Sequence, residues 1–156
     1  MMGKLHRSSR IDAEHLSVTD KMFGILCVDD NEFADIMISE AVGALIAAGC
    51  IEQNIKIRRV PLEDDIPMGV LFFGEYTDVD AVIVLSEVVP FDYIKQSVID
   101  LQLQWNMPVL FGSSKTADAN EPYTTVARRA MDMVLLQEAM QQESDELLNP
   151  DRKSIN

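Results

Sequence analysis

Carboxylates are the reactive side chains this sequence offers in quantity, and three groups of them stand beside apolar runs. Asp29 and Asp30, followed by Asn31, close the run Phe23–Val28; Glu63, Asp64 and Asp65 sit between Pro61 and Pro67; Glu87 follows Ser86 at the end of Ala81–Leu85. An acidic pair at a strand end can hold Mg²⁺ through hard oxygen donors. The same pair suits the first turn of a helix, whose N-terminus favours negative charge, and the residues leave both readings open. The triplet at 63–65 reads as a solvated cap of the following helix. Other chemistries lack their residues. There is no Gly-x-Gly-x-x-Gly, no P-loop and no Cys-x-x-Cys, and no histidine follows His15. Catalysis by a Ser-His-Asp or Cys-His set would have to borrow His6 or His15 from the N-terminal arm. No second ligand pair supports a metal there. Neither a metal nor a cofactor is expected.

The elements that must position these groups follow from the apolar pattern. Ala81–Leu85 is continuously apolar, which suits a strand buried on both faces at the centre of a parallel sheet. Phe23–Val28, Ile55–Val60 and Pro108–Phe111 read as three further strands, with Gly112–Thr116 as the loop behind the last. A helix carries Met37, Ala41, Ala44, Leu45 and Ala48 on one face and stops at Gly49. Pro67 fits the first turn of a second helix, whose apolar part is Met68–Gly74. A third uses Ile94, Val98, Leu101 and Trp105. A last long helix spans 122 to about 148, with Val126, Ala130, Met133 and Val134 inward. Four strand–helix alternations imply an α/β fold of three layers, α/β/α, on a four-stranded parallel sheet in order 2-1-3-4. The methionines of the last helix are expected in the core.

With 156 residues and 47% hydrophobic content, the chain is expected to form one α/β domain over 21–148. A polar arm precedes it over 1–20 and a polar tail follows over 149–156. No run reaches the roughly 18 apolar residues of a membrane span, and the basic start lacks the apolar stretch of a secretory signal. Cys27 and Cys50 read as reduced thiols of a cytoplasmic protein. A net charge of −13 argues against nucleic acid or an anionic membrane as partner.

Taken in order, several short segments resemble the 6,7-dimethyl-8-ribityllumazine synthase family of the riboflavin pathway. They are Asp29-Asp30-Asn31 after the first strand, Gly49, Val60-Pro61-Leu62-Glu63-Asp64-Asp65-Ile66-Pro67, and Asp80-Ala81-Val82-Ile83-Val84-Leu85-Ser86-Glu87-Val88-Val89. Phe91-Asp92-Tyr93, Pro108-Val109-Leu110-Phe111-Gly112 and Arg129-Ala130 complete the set. The resemblance spans about residues 23–135. It implies the flavodoxin-like fold of that family and a transferase that condenses a ribitylamino-pyrimidinedione with a butanone phosphate. It also implies homopentamers, some packed into larger shells, with sites between subunits. Carried over residue by residue, it places substrate contacts at Asp30, Asn31, Glu63, Asp64, Asp65, Val88, Phe111 and Arg129.

The departures fall where the family's chemistry lives. Asp30 and Asp64 stand where the family has aromatic residues, and the acidic partner of the ribityl chain survives at most as Asp65. The Arg-Gly-x-Thr segment that holds the substrate phosphate has no counterpart between Val89 and Pro90, and Pro90 takes the place of the catalytic histidine. Of the phosphate clamp, Arg129 alone is retained. The resemblance therefore implies a family member with impaired or absent catalysis that keeps fold and oligomer, with a flavin-like or pyrimidine ligand as a further option. An active synthase with a rebuilt site is one alternative. A second is a response-regulator receiver domain, which Val28-Asp29-Asp30-Asn31-Glu32 and Val89-Pro90 also resemble; there Ser86 would replace the phosphoacceptor aspartate.

Overall fold

The computed structural model describes residues 16–28, 32–114 and 121–148. Four strands, β1 (Phe23–Val28), β2 (Ile55–Val60), β3 (Ala81–Ser86) and β4 (Val109–Ser113), alternate with four helices, α1 (Glu32–Ala47), α2 (Ile66–Tyr76), α3 (Asp92–Trp105) and α4 (Pro122–Leu148). The sheet order is β2-β1-β3-β4, and every pairing is parallel. Both expectations, the α/β fold and the central place of Ala81–Leu85, hold.

Burial of β1 and β3 on both faces sets the layers, because successive side chains of a strand point to opposite sides. Phe23, Ile25 and Cys27 of β1 and Ala81, Ile83 and Leu85 of β3 face α1 and α4, where Met37, Ala41, Leu45, Val126 and Ala130 meet them. The alternate residues Leu26, Val28, Val82 and Val84 face α2 and α3 through Ile66, Val70, Phe73, Ile94 and Val98. The outer strand β2 is different. Its Arg58 and Arg59 are exposed and Lys56 is half-buried, so this edge of the sheet carries three cations.

Packing corrects several details of the pattern reading. Ala48 lies beyond the end of α1 and is exposed, while Ala34 and Ile38 are buried instead. The inward methionine of α4 is Met131; Met133 and Met140 are 41% and 60% exposed. The stripe expected inward on the last helix holds at Val126, Ala130 and Val134 and fails at Met133 alone, and the helix packs chiefly against α1 and β4. Trp105 sits at the rim of its helix, against Gly74. β4 continues through Gly112 and Ser113, which were expected in a loop, because both pair with Leu85 and Ser86 of β3. The acidic triplet forms a short 3-10 turn rather than a side-chain cap. Asp65 accepts the Leu62 N–H at 3.1 Å, and no side chain caps α2, although Pro67 does occupy its first turn.

Of the arm expected over 1–20, residues 16–20 are described, and Val18 packs into the α1/α4 core. The tail expected over 149–156 lies outside the described residues. The chain entering β1 is fastened at two points. The Asp80 carboxylate accepts the Met22 N–H at 2.7 Å while the Asp80 N–H donates to the Met22 carbonyl at 2.7 Å, so the segment before β1 is locked to the start of β3. Lys21 Nζ lies 3.0 Å from Glu138 Oε2 of α4; that buried oxygen has no well-aligned hydrogen bond, and the ion pair is what accounts for it. Among the described residues no helix is long and apolar enough to cross a membrane. Cys27 and Cys50 are buried free thiols.

Two measurements follow from this packing. Asp80→Ala removes the acceptor of the Met22 N–H and should lower unfolding free energy by about 1–3 kcal/mol in a urea titration. Burial pushes the Cys50 thiol up to about 11, so at pH 8 on the order of a thousandth is thiolate. Iodoacetamide should therefore label Cys50 of the native chain far more slowly than that of the urea-unfolded chain; equal rates would contradict the burial.

Candidate functional site

In open α/β sheets ligands bind beyond the carboxyl ends of the strands, so the turn after β3 and the end of β4 are the place to look. Ser86 ends β3 and is 1% exposed. Its hydroxyl donates to the Val88 carbonyl, closing a tight turn over Glu87. The Ser114 hydroxyl, just past β4, donates to the Glu87 carbonyl, and the Tyr123 hydroxyl of α4 donates to the Ser86 carbonyl at 3.4 Å. Burial, first of all, raises the Tyr123 phenol above its ordinary value. The turn is thus held by three side-chain hydroxyls.

Pro90 follows as a buried residue, and its ring fixes the backbone and supplies no N–H. Val89 and Pro90 then form one wall of a cleft of about 340 Å³. Phe111 and Ser113 of β4 line it from below, and Lys95 of α3 and Arg129 of α4 approach from either side. A roomier groove of about 540 Å³ runs along Leu103, Met133 and Met140. It lies beside Pro108, before the start of β4, and so at the end of the sheet where ligands of this architecture are not held.

The residues proposed from the family pattern divide between two places. Pro90, Phe111 and Arg129 come together at the cleft. Glu63, Asp64 and Asp65 do not line it. Asp64 instead accepts a hydrogen bond from the Tyr93 hydroxyl at 2.8 Å, and Asp65 is committed to Leu62. The bond to Asp64 is also the main reason the Tyr93 phenol lies above its ordinary value. Val88 is 38% exposed, with its carbonyl engaged by Ser86. Asp30 and Asn31 lie outside the described residues, as does Asp29 of the suggested Mg²⁺ pair. Among the described residues no cluster of three or more His, Cys, Asp or Glu side chains could hold a metal ion.

Two features escaped the sequence reading. Phe91 and Tyr93 stack at the start of α3, with ring centroids 5.9 Å apart and planes 9° from parallel, although they are 69% and 62% exposed. Their spacing in Phe91-Asp92-Tyr93 was the visible signal, but the backbone turn that aligns the rings was not. The second is Lys95. It lies four residues before Ile99, another cleft-lining residue, and that i, i+4 spacing could have marked both as one face of α3.

No protein-family model matches the chain. Individual relatives do. The chain is 30% identical over 107 residues to the 6,7-dimethyl-8-ribityllumazine synthase of Desulfatibacillum aliphaticivorans, a match covering 62% of this chain and 69% of that protein. The chain belongs to the 6,7-dimethyl-8-ribityllumazine synthase family. The lumazine synthase of Desulfosudis oleivorans is 29% identical over 107 residues, 62% of this chain and 68% of that protein. That of Parabacteroides distasonis is 30% identical over 99 residues, 57% and 62% of the two chains. The chain is thus a divergent lumazine synthase relative, tied by family to riboflavin biosynthesis, and its β2-β1-β3-β4 sheet accords with that fold. The receiver-like alternative gains nothing from these relatives, and Ser86, buried and bonded within its own turn, is not poised to accept a phosphoryl group.

The hydroxyl that closes the β3 turn can be tested directly. Ser86→Ala leaves the strand apolar and removes the donor to Val88. It should cost about 0.5–1.5 kcal/mol in thermal or urea unfolding. A neutral result would mean the turn is held without it.

Proposed function

We propose that this lumazine synthase relative does not form 6,7-dimethyl-8-ribityllumazine at a useful rate and serves through its fold, its assembly and whatever its cleft binds. The observation that carries this reading is the lining of the cleft. Among the described residues, its ionisable side chains are Lys95 and Arg129; no histidine or carboxylate lines it. The family's condensation requires proton transfer, and a positioned acid or base whose pKa lies near the working pH typically contributes about 10²–10⁴-fold. Pro90, standing in the histidine's place, supplies neither an ionisable group nor an N–H.

The other losses support the same conclusion in different roles. Asp64, where the family has an aromatic ring, is turned to Tyr93. Glu63, Asp64 and Asp65 stand off from Arg129 and Phe111 within the one chain. The assay follows product absorbance with both substrates. Turnover should be undetectable, and Pro90→His alone should not restore it, because one imidazole replaces only one of the missing roles. Turnover within about tenfold of an intact family member would overturn the proposal and point to Glu87 or Asp65 as the proton carrier.

The assembly we propose is a symmetric homo-oligomer, a pentamer or a multiple of pentamers, in the cytoplasm. Its support is an apolar stripe on α2. Met68, Phe72 and Tyr76 recur every four residues and are 51%, 47% and 72% exposed, with Phe72 and Tyr76 ring centroids 5.9 Å apart. A stripe of that kind on a surface helix marks a contact, and closed point symmetry is the usual form of a homo-oligomer. Light scattering at micromolar concentration should give a multiple of the 17.5 kDa chain mass. A clean monomer would refute the assembly.

A further inference from the structure

The groove of about 540 Å³ lies between α3 and α4, at the opposite end of the sheet from the cleft. Leu103 of α3, Met107 and Pro108 just after it, and Met133, Leu136 and Met140 of α4 form its walls. Leu103 and Met140 are 74% and 60% exposed, and every residue of α4 from Met140 to Leu148 is exposed. On α4 the apolar residues Met133, Leu136, Met140 and Leu147 follow the spacing of a single helical stripe. On α3, Ile99 and Leu103 stand one turn apart and both are exposed. Two apolar ridges of helical spacing border a groove shaped for a third helix. From Met133 to Leu147 the stripe runs about 21 Å at 1.5 Å per residue, the length of a partner helix of about four turns.

The charge along this groove has one sign. Between Ala130 and Leu148, α4 carries Asp132, Glu138, Glu143, Asp145 and Glu146 and neither lysine nor arginine. Glu138 is paired with Lys21. Asp132 and Glu143 are exposed and three helical turns apart, so they form a line beside the apolar stripe. On α3, Asp100 is exposed one turn before Leu103. A second copy laid along this stripe would set carboxylate against carboxylate, in a chain of net charge −13. A cationic helix would meet them with the complementary sign.

We propose that the groove docks a basic amphipathic helix of a partner protein, its apolar side between Leu103 and Met140 and its Lys and Arg side chains over Asp132 and Glu143. The methionines suit that task, because an unbranched thioether chain repacks around whatever side chains a partner presents. The end of α4 also gains from it. A helix without tertiary packing is marginal in water, and a partner helix supplies that packing to the exposed turns after Met140. The inference goes beyond the proposed function, since it uses neither the cleft nor the α2 stripe.

Fluorescence anisotropy with the full chain tests it. The probe is a fluorescein-labelled peptide of leucine and lysine, about 18 residues long, with leucine at helical spacing. One control peptide has glutamate in place of lysine, and another has the same composition scrambled out of that spacing. The lysine peptide should bind one per chain, and both controls about tenfold or more weaker. Leu103→Gln and Met140→Gln should each weaken binding by about fivefold or more. Asp132→Asn combined with Glu143→Gln should weaken it by about threefold and flatten its dependence on salt. Leu62→Gln, and Glu52→Gln combined with Glu75→Gln, change exposed residues elsewhere and should leave it unchanged. Unchanged melting temperatures without peptide would show that the variants fold. No binding of the lysine peptide, equal binding of the glutamate peptide, or full binding by both Leu103→Gln and Met140→Gln refutes the docking. So does a loss of oligomeric mass in either variant by light scattering, which would assign the groove to a second copy.

Discussion

The two inner strands, β1 and β3, have no solvent face. Every residue of both is buried, so neither exists in water without cover on both sides. At roughly 25 cal/mol per Å² of apolar surface, hiding such strands is among the largest favourable contributions the chain has. That one demand explains the three layers. It requires α1 and α4 on one side and α2 and α3 on the other, and it fixes the strands in parallel, since each helix must carry the chain back across a face. Ser86 and Ser113, last residues of adjacent strands, pair with each other and end together. The cleft opens beside them for this reason.

Near that end, the sheet and the helices exchange precision for space. Gly112 lies so close to α4 that a Cβ there would meet Val126 Cγ1 at 2.6 Å. Gly69 of α2 has the same relation to Leu26 of β1, at 2.7 Å. Helices that approach this closely leave little slack, and a jammed interior resists added atoms at about 1–3 kcal/mol each. The long side chains of Lys95 and Arg129 stand at the cleft, with the exposed aromatic pair Phe91 and Tyr93 near it at the start of α3. The rigid scaffold sets where these groups start, and their own rotamers decide what they reach.

Much of this was legible in the sequence, and what was not has a physical reason. The order and direction of the strands followed from uninterrupted apolar runs and from crossovers long enough to return parallel. The family could be seen in short segments kept in order, although each is weak alone. On α4 the inward positions Val126, Ala130 and Val134 hold and the error is confined to one methionine, because periodicity gives an angle and the neighbours give its origin: Met131 meets the core and Met133 does not. β4 was drawn two residues short because Gly112 and Ser113 look like loop, yet a neighbouring strand supplies the pairing that composition does not reveal. At the site, Phe111, Pro90 and Arg129 could be brought together by a shared pattern, whereas Lys95 could not. The spacing of Lys95 and Ile99 marks a face of α3, but that this face shares a cleft with Arg129, on a helix across the sheet, is a relation that no local window contains.

The outer strand β2 carries a consequence of a different kind. Among the described residues its outward edge leaves backbone donors and acceptors without a strand partner, and such an edge invites a second copy to add on and continue the sheet. Lys56, Arg58 and Arg59 stand along that edge in a chain that is otherwise strongly acidic. Two copies meeting edge to edge would bring like charges face to face, and Arg59 is already held by Asp35 at 2.7 Å. The charge on this strand therefore disfavours strand addition between copies, whereas the exposed rings and methyl groups of α2 carry no such repulsion.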